Sequence, residues 1–235
     1  MPRTPTRNPR LQDRDDEILH HLMRYRLTTP GVLHRLFFDD SERNAVTKVT
    51  SRLTSHRFLE SHPLFTSQTY FNLGPNGAKV MGLSPRKTGP LGPQALFTEF
   101  GTLAFCCMGP NLHERLRVAD LSRLNPALLA KGLDSSHYYL DIDDKVNRLG
   151  LIRVDFGGDA AHVARKCRQD IEAREQVPAF RQLISEGRFL VAIVTLSDPK
   201  RAALEQELRK ITSSSPVAFR VEVVPDLRHL LTRHA

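Results

Sequence analysis

Between residues 41 and 58 the chain reads SERNAVTKVTSRLTSHRF, and its polar side chains recur at helical rather than strand spacing. On a helix, Arg43, Asn44, Thr47, Lys48 and Ser51 share one side, while Val46, Val49, Leu53 and His56 form a stripe on the other. The outer side offers amide, hydroxyl, ammonium and guanidinium groups, and no carboxylate follows Glu42. Such groups bond to base edges and phosphate oxygens in a DNA major groove. Ser41 is the expected N-cap, which puts Arg43, Asn44 and Thr47 in the first turns, where a groove-seated helix meets the bases. Arg52, near phosphates or base edges, and Arg57 complete a candidate DNA-binding set of Arg43, Asn44, Thr47, Lys48, Ser51, Arg52 and Arg57. The same pattern also suits a solvated surface helix that is simply basic.

The preceding residues hold the elements that must position this helix. A first helix is expected at Asp13 to Tyr25, with Asp13 as N-cap, acidic residues in its first turn and Ile18, Leu19 and Leu22 facing inward. Thr29 then caps and Pro30 opens a short second helix, PGVLHRLFF. After the third helix, Phe58 to Leu64 and Gln68 to Leu73 have strand character. Three helices followed by a hairpin is the order of a winged helix-turn-helix, here residues 11–83. Residues 1–10 carry Arg3, Arg7 and Arg10 among prolines and threonines and form a flexible basic arm. It could follow a phosphate backbone, enter a minor groove, or only solubilise the chain.

Charge points the same way. The chain of 235 residues carries a formal net charge of +8, which favours an anionic partner, nucleic acid first. Residues 1–89 hold 14 basic against 8 acidic side chains and residues 90–235 hold 20 against 18, so the excess belongs to the N-terminal part. No apolar run approaches a membrane span and the N-terminus lacks a signal-peptide core, so no membrane partner and a cytoplasmic location are expected. Cys106, Cys107 and Cys167 have neither disulfide-framework nor paired metal-ligand spacing, and the histidines are scattered. Neither a metal nor a cofactor is expected.

Residues 84–93, SPRKTGPLGP, break regular structure and read as a linker. Residues 94–131 read as a helical connector, with Phe97, Phe100, Leu103, Phe105 and Leu116 as a surplus of large apolar side chains and a helix running from an Asn111 cap to Leu124. That surplus is either core or a self-association seam. In residues 132–235, His137 to Ile142 and Leu149 to Phe156 form a hairpin across the turn Asp143 to Arg148. Helices at Asp159 to Gln176 and Pro178 to Glu186, a strand at Phe189 to Leu196, a helix at Asp198 to Ile211 and a strand at Val217 to Val224 follow. The expected class is α+β, a winged helix-turn-helix followed by a small α/β domain.

The run LQDRDDEILHHLMRYRLTTPGVLHRLFFDDSERNAVTKVTSRLTSHRFLES, followed by YFNLGPNGAKVM, resembles the N-terminal winged helix of the replication-relaxation family of mobile-element and plasmid proteins. The resemblance rests on Asp15-x-x-Ile18-Leu19-x-x-Leu22, on Leu36-Phe37-Phe38 closing the second helix, on the basic third helix and on the wing exit. It implies that the second half is similar to the restriction-endonuclease fold. A working nuclease of that fold needs an acidic residue ending one strand, then an acidic residue and a Lys two positions apart on the next, to hold a divalent cation and activate water. Asp141 fits the first position, but the next strand reads Arg153-Val154-Asp155-Phe156-Gly157, with a cation where an acid is expected and glycine where Lys is required. The fold is therefore expected to be retained and catalysis lost, the domain serving dimerisation or partner binding.

No phosphate-cradling glycine loop with Lys, no Gly-x-Ser-x-Gly elbow and no HExxH occurs, and Gly157-Gly158 serves either an anion or a tight turn. The sequence as a whole predicts a sequence-specific binder of double-stranded DNA, a homodimeric transcriptional regulator of a mobile element or plasmid, because two copies on a two-fold axis multiply the specificity of one recognition helix. Its alternatives are a DNA-processing protein, either a metal-dependent nuclease or a replication or transfer accessory factor, and a module whose winged helix binds protein. Any small-molecule effector is left unspecified.

Overall fold

The structure, a computed structural model, describes residues 11–39, 42–65, 67–84, 88–142, 146–212 and 216–232, with Arg43, Thr212 and Thr232 described by their backbone alone. The basic arm, the Ser41 cap, residues 85–87 of the expected linker and the centre of the expected turn at 143–145 lie outside the described residues. The chain divides into two compact units, Met1–Gly92 and Pro93–Ala235.

In the first unit, α1 (Asp13–Tyr25), α2 (Pro30–Phe37) and α3 (Arg43–Ser55) precede β1 (Leu59–Pro63), β2 (Thr69–Leu73) and α4 (Pro75–Val80). The α1 cap is Gln12 rather than Asp13, because Asp15, on the first turn, accepts the Gln12 backbone N–H at 2.9 Å. At α2 the Thr29 hydroxyl accepts the Val32 N–H at 3.3 Å, and Pro30 occupies the first position, where no donor is needed. Helix α3 starts at Arg43 behind a Glu42 cap, shorter at both ends than the polar pattern suggested. Ile18, Leu19, Leu22, Leu33, Phe38, Val46 and Leu53 of the helical part close over Phe58, Leu59, Phe71 and Leu73 at the hairpin.

The hairpin pairs antiparallel, Leu59 opposite Leu73 and Pro63 opposite Thr69. Thr28, just before α2, exchanges backbone hydrogen bonds of 2.9 and 2.8 Å with Phe71, clipping the start of α2 to β2. Helix α4, absent from the sequence reading, depends on Gly77. A Cβ there would lie 2.2 Å from the Phe58 carbonyl oxygen, so only glycine lets the helix approach the backbone entering β1. The expected linker does not run free either: the Asn72 amide donates to the Gly89 carbonyl, and the Leu91 N–H donates to the Tyr70 hydroxyl at 2.9 Å.

The second unit contains α5 (Pro93–Cys107), β3 (Glu114–Leu116), α6 (Val118–Leu124), a 3-10 turn (Pro126–Leu128), β4 (Tyr138–Ile142), β5 (Asn147–Val154), α7 (Ala160–Glu175), α8 (Pro178–Ser185), β6 (Phe189–Thr195), α9 (Asp198–Thr212), β7 (Ala218–Val223) and α10 (Leu227–Thr232). Its sheet has the order β3-β4-β5-β6-β7, antiparallel through β5 and parallel from β5 to β7. The chain is thus mixed α+β with a mixed sheet. Leu149, Leu151, Phe189, Val191 and Ile193 face α7, α8 and α9 through Cys167, Ile171, Phe180, Leu204 and Leu208. The opposite face is covered by α5, where Gly101 meets Val154. Covered on both faces, β6 is buried at every position.

Two expectations fail in this unit. Residues 94–131 are not a separate connector: Phe97, Phe100, Leu103, Phe105 and Leu116 are at most 5% exposed, because α5 is one layer of the domain and Leu116 joins the core beyond the sheet. These five side chains are core, and the exposed apolar residues of the segment are instead Met108, Leu112, Val118 and Leu124. The helix expected from Asn111 begins only at Val118. Glu114–Leu116 is extended because it pairs with Leu140, Tyr139 and Tyr138, a tertiary partner that periodicity cannot reveal.

Candidate nucleic-acid interface

Helix α3 divides as its spacing dictates. Val46, Thr50 and Leu53 are buried and Val49 half-buried, while Asn44, Thr47, Lys48 and Ser51 are exposed together on the far side. Thr50, the polar residue on the inner side, satisfies itself by donating to the Val46 carbonyl at 2.9 Å. The Arg43 side chain lies outside the described residues, so four of the seven candidates form the outward surface. That surface is amide, hydroxyl and ammonium, with no carboxylate within it.

Arg52 has a different place. Its Nη2 donates to Asp15 at 2.6 Å, and Asp15 is 1% exposed, so Arg52 ties the last turns of α3 to the first turn of α1. The sequence reading placed Arg52 near bases or phosphates; in the structure its guanidinium is also the partner that the buried Asp15 carboxylate needs. Arg57 stands beyond the helix, exposed, with its backbone left-handed at φ 59°. Its carbonyl accepts the Asn76 N–H at 3.0 Å while the Asn76 side chain donates to the His56 carbonyl at 2.8 Å, so α4 fixes the turn that presents Arg57. Sequence reasoning missed this role because the Pro-Asn-Gly run of α4 reads as a turn.

The neighbouring groups narrow what could touch an anion. His21 is buried against Thr28, 3.1 Å from its hydroxyl, and burial together with Arg24 lowers its pKa to about 4, so it is neutral at physiological pH. The hairpin residues 59–73 contain no Lys or Arg. Among the described residues, the cations of this unit lie outside the hairpin: they include Arg14, which stacks over Phe38 at 4.6 Å, and the exposed Arg35, Lys48 and Arg57.

The chain matches no family model, no curated protein and no solved structure. Its chemistry has to be taken from its own residues.

In the second unit the two carboxylates that could share a nuclease metal are held apart. Asp141 stands opposite Arg148 in the antiparallel pair, and Asp155 comes seven residues after Arg148, just past the end of β5, about 23 Å away at ~3.3 Å per residue. No single cation can bridge them. Asp141 instead receives Arg148 at 2.8 Å and Arg220 at 2.9 Å, with His113 at 3.7 Å. Burial, and then Arg220, lowers the His113 pKa. Beside this cluster opens a cleft of about 330 Å³ lined in part by Phe105, Asn111, His113, Arg220 and Glu222.

Asp155 accepts the Thr195 hydroxyl and the Gly157 N–H, each at 3.0 Å, with Lys200 at 3.9 Å. These bonds close the strand-to-helix turn containing Gly157 and Gly158. Arg153, the residue out of place for a nuclease, pairs with Asp170 of α7. Ser136, His137 and Asp134 meet in one turn, but both oxygens approach Nδ1 of His137, so the imidazole does not relay between them as a nucleophilic triad requires. Burial raises the Cys167 thiol to about 12, which leaves it protonated and unreactive.

Proposed function

We propose that this chain is a sequence-specific DNA-binding protein, a homodimeric regulator whose first unit is a winged helix-turn-helix with α3 as its recognition helix. The observation that carries the reading is the outward row of Asn44, Thr47, Lys48 and Ser51 on a helix whose inner side is locked to α1 by Arg52 and Asp15. A rigid platform with an acid-free hydrogen-bonding face is what reading base edges needs. The Thr28–Phe71 bridge supports the same reading, since it fixes the hairpin against the start of α2, where a wing would flank the groove. The hairpin's lack of cations makes it a shape contact, and leaves phosphate neutralisation to the helices and the arm. The resemblance to the replication-relaxation family favours a mobile element or plasmid as the setting. In this reading the second unit is a nuclease-like fold without its metal chemistry, because Asp141 and Asp155 are engaged at opposite ends of β5.

The test is fluorescence anisotropy of the full-length protein with the DNA upstream of its own gene and with scrambled duplex. Specific binding that exceeds non-specific binding by ~10³-fold or more, and that weakens steeply with salt, is the expected outcome. Equal affinity for both duplexes, or binding indifferent to salt, overturns it.

A further inference from the structure

The sheet of the second unit ends in two edges that differ. Strand β3 is only three residues long, a blunted edge. Strand β7, Ala218–Val223, is six residues of AFRVEV with no Lys, Pro or Gly among them, and its apolar residues Phe219, Val221 and Val223 are only half-buried. The Val224 N–H donates to Thr195 of β6, so by alternation the backbone groups of Phe219, Val221 and Val223 point away from β6. Among the described residues those outward groups make no backbone hydrogen bond.

We infer that β7 pairs antiparallel with β7 of a second copy about a two-fold axis at Val221, joining the two sheets into one. The backbone direction requires the axis to pass through a residue rather than between two, and the charge pattern places that residue at Val221. Centred on Val221, the outward groups of residues 219, 221 and 223 meet those of 223, 221 and 219 as hydrogen-bonded pairs, and Pro225 ends the ladder beyond. Arg220 then stands opposite Glu222 at the closer, non-hydrogen-bonded positions. A shift of the axis by one residue sets Arg220 against Arg220 or Glu222 against Glu222. Arg220 is half-exposed and keeps its bond to Asp141, while Glu222 is exposed. The partner is therefore this chain itself, whose basic and acidic residues alternate so as to complement their own reversed copy. The inference deepens the homodimer of the functional reading by naming its surface, and its outcome is measured separately from DNA binding.

Sedimentation of the full-length protein without DNA should show a dimer in the micromolar range. Glu222→Lys puts like charges at both symmetry-related pairs and should raise the dimer dissociation constant ~10-fold or more. Val221→Pro removes an outward N–H that β6 does not use, so it should abolish the dimer while far-UV circular dichroism stays unchanged. Should the proline variant fail to fold, the surface variant Glu222→Lys decides alone. A wild-type monomer at 100-fold higher concentration, or a dimer equally stable in a folded Glu222→Lys variant, overturns the inference. A dimer that responds as expected but binds no DNA keeps the surface and removes the regulatory reading.

Discussion

The two units use arginine and lysine in opposite ways. In the first, Asn44, Thr47, Lys48 and Ser51 face solvent on α3, and one interhelical pair, Arg52 with Asp15, holds the helix in place. In the second, charge is turned inward: Asp141 holds Arg148 and Arg220, Glu99 pairs with a buried Arg115, and Arg174 donates to the Tyr138 hydroxyl at 2.6 Å beneath the helices. What separates them is whether a cation's partner already lies within the chain.

The sharpest way to break that contrast is Arg115→Ala, which removes the buried charge partner of a buried Glu99 and should cost about 3–5 kcal/mol in chemical denaturation. An effect below 1 kcal/mol would mean that the inward charges are dispensable. Next in size is the acid limb of the first unit. His21 ordinarily titrates near 6.5 and is held near 4 when folded, so the folded state resists its protonation. Stability on its account is complete above pH 6.5 and falls as pH drops toward 4, by up to about 3 kcal/mol. His21→Gln should flatten that part of the stability curve, and an unchanged slope would remove His21 as its source.

Third, Lys48→Ala and Asn44→Ala should weaken binding to the preferred duplex by about 1–3 kcal/mol while leaving the melting temperature within a degree or two. A loss in melting temperature without a loss in affinity would make α3 structural. The smallest expected effect is that of Arg52→Ala. Arg52 is about a third exposed, so solvent already shares its charge, and a loss of about 1–2 kcal/mol in stability is expected. If affinity fell while stability held, Arg52 would return to the DNA-contacting set.

Where elements follow from local pattern, the sequence was legible. α1, α2 and α7 to α9 announce themselves by apolar spacing with Thr29, Pro30 and Asp159 at their starts. Elements defined by a partner were not: β3 is extended only because β4 lies beside it, and α4 exists because Gly77 lets it touch the backbone. The outward face of α3 could be read from composition, whereas the diversion of Arg52 to Asp15, 37 residues earlier in the chain, could not. Asp141 and Asp155 look like neighbours on adjoining strands until the antiparallel register sets them at opposite ends.

Strand β6, buried along its whole length between β5 and β7, has a consequence for how the chain is made. FLVAIVT is uncharged, rich in β-branched residues and free of proline, the composition that stacks with copies of itself when left unpaired. Its second neighbour, β7, is synthesised only after all of α9, and both of its pairings are parallel and non-local, the slowest kind to form. A chain interrupted between Thr195 and Val223 would expose this strand with one side open. Arg188 on one flank and Lys200 on the other stand where charges that interrupt such self-stacking are expected.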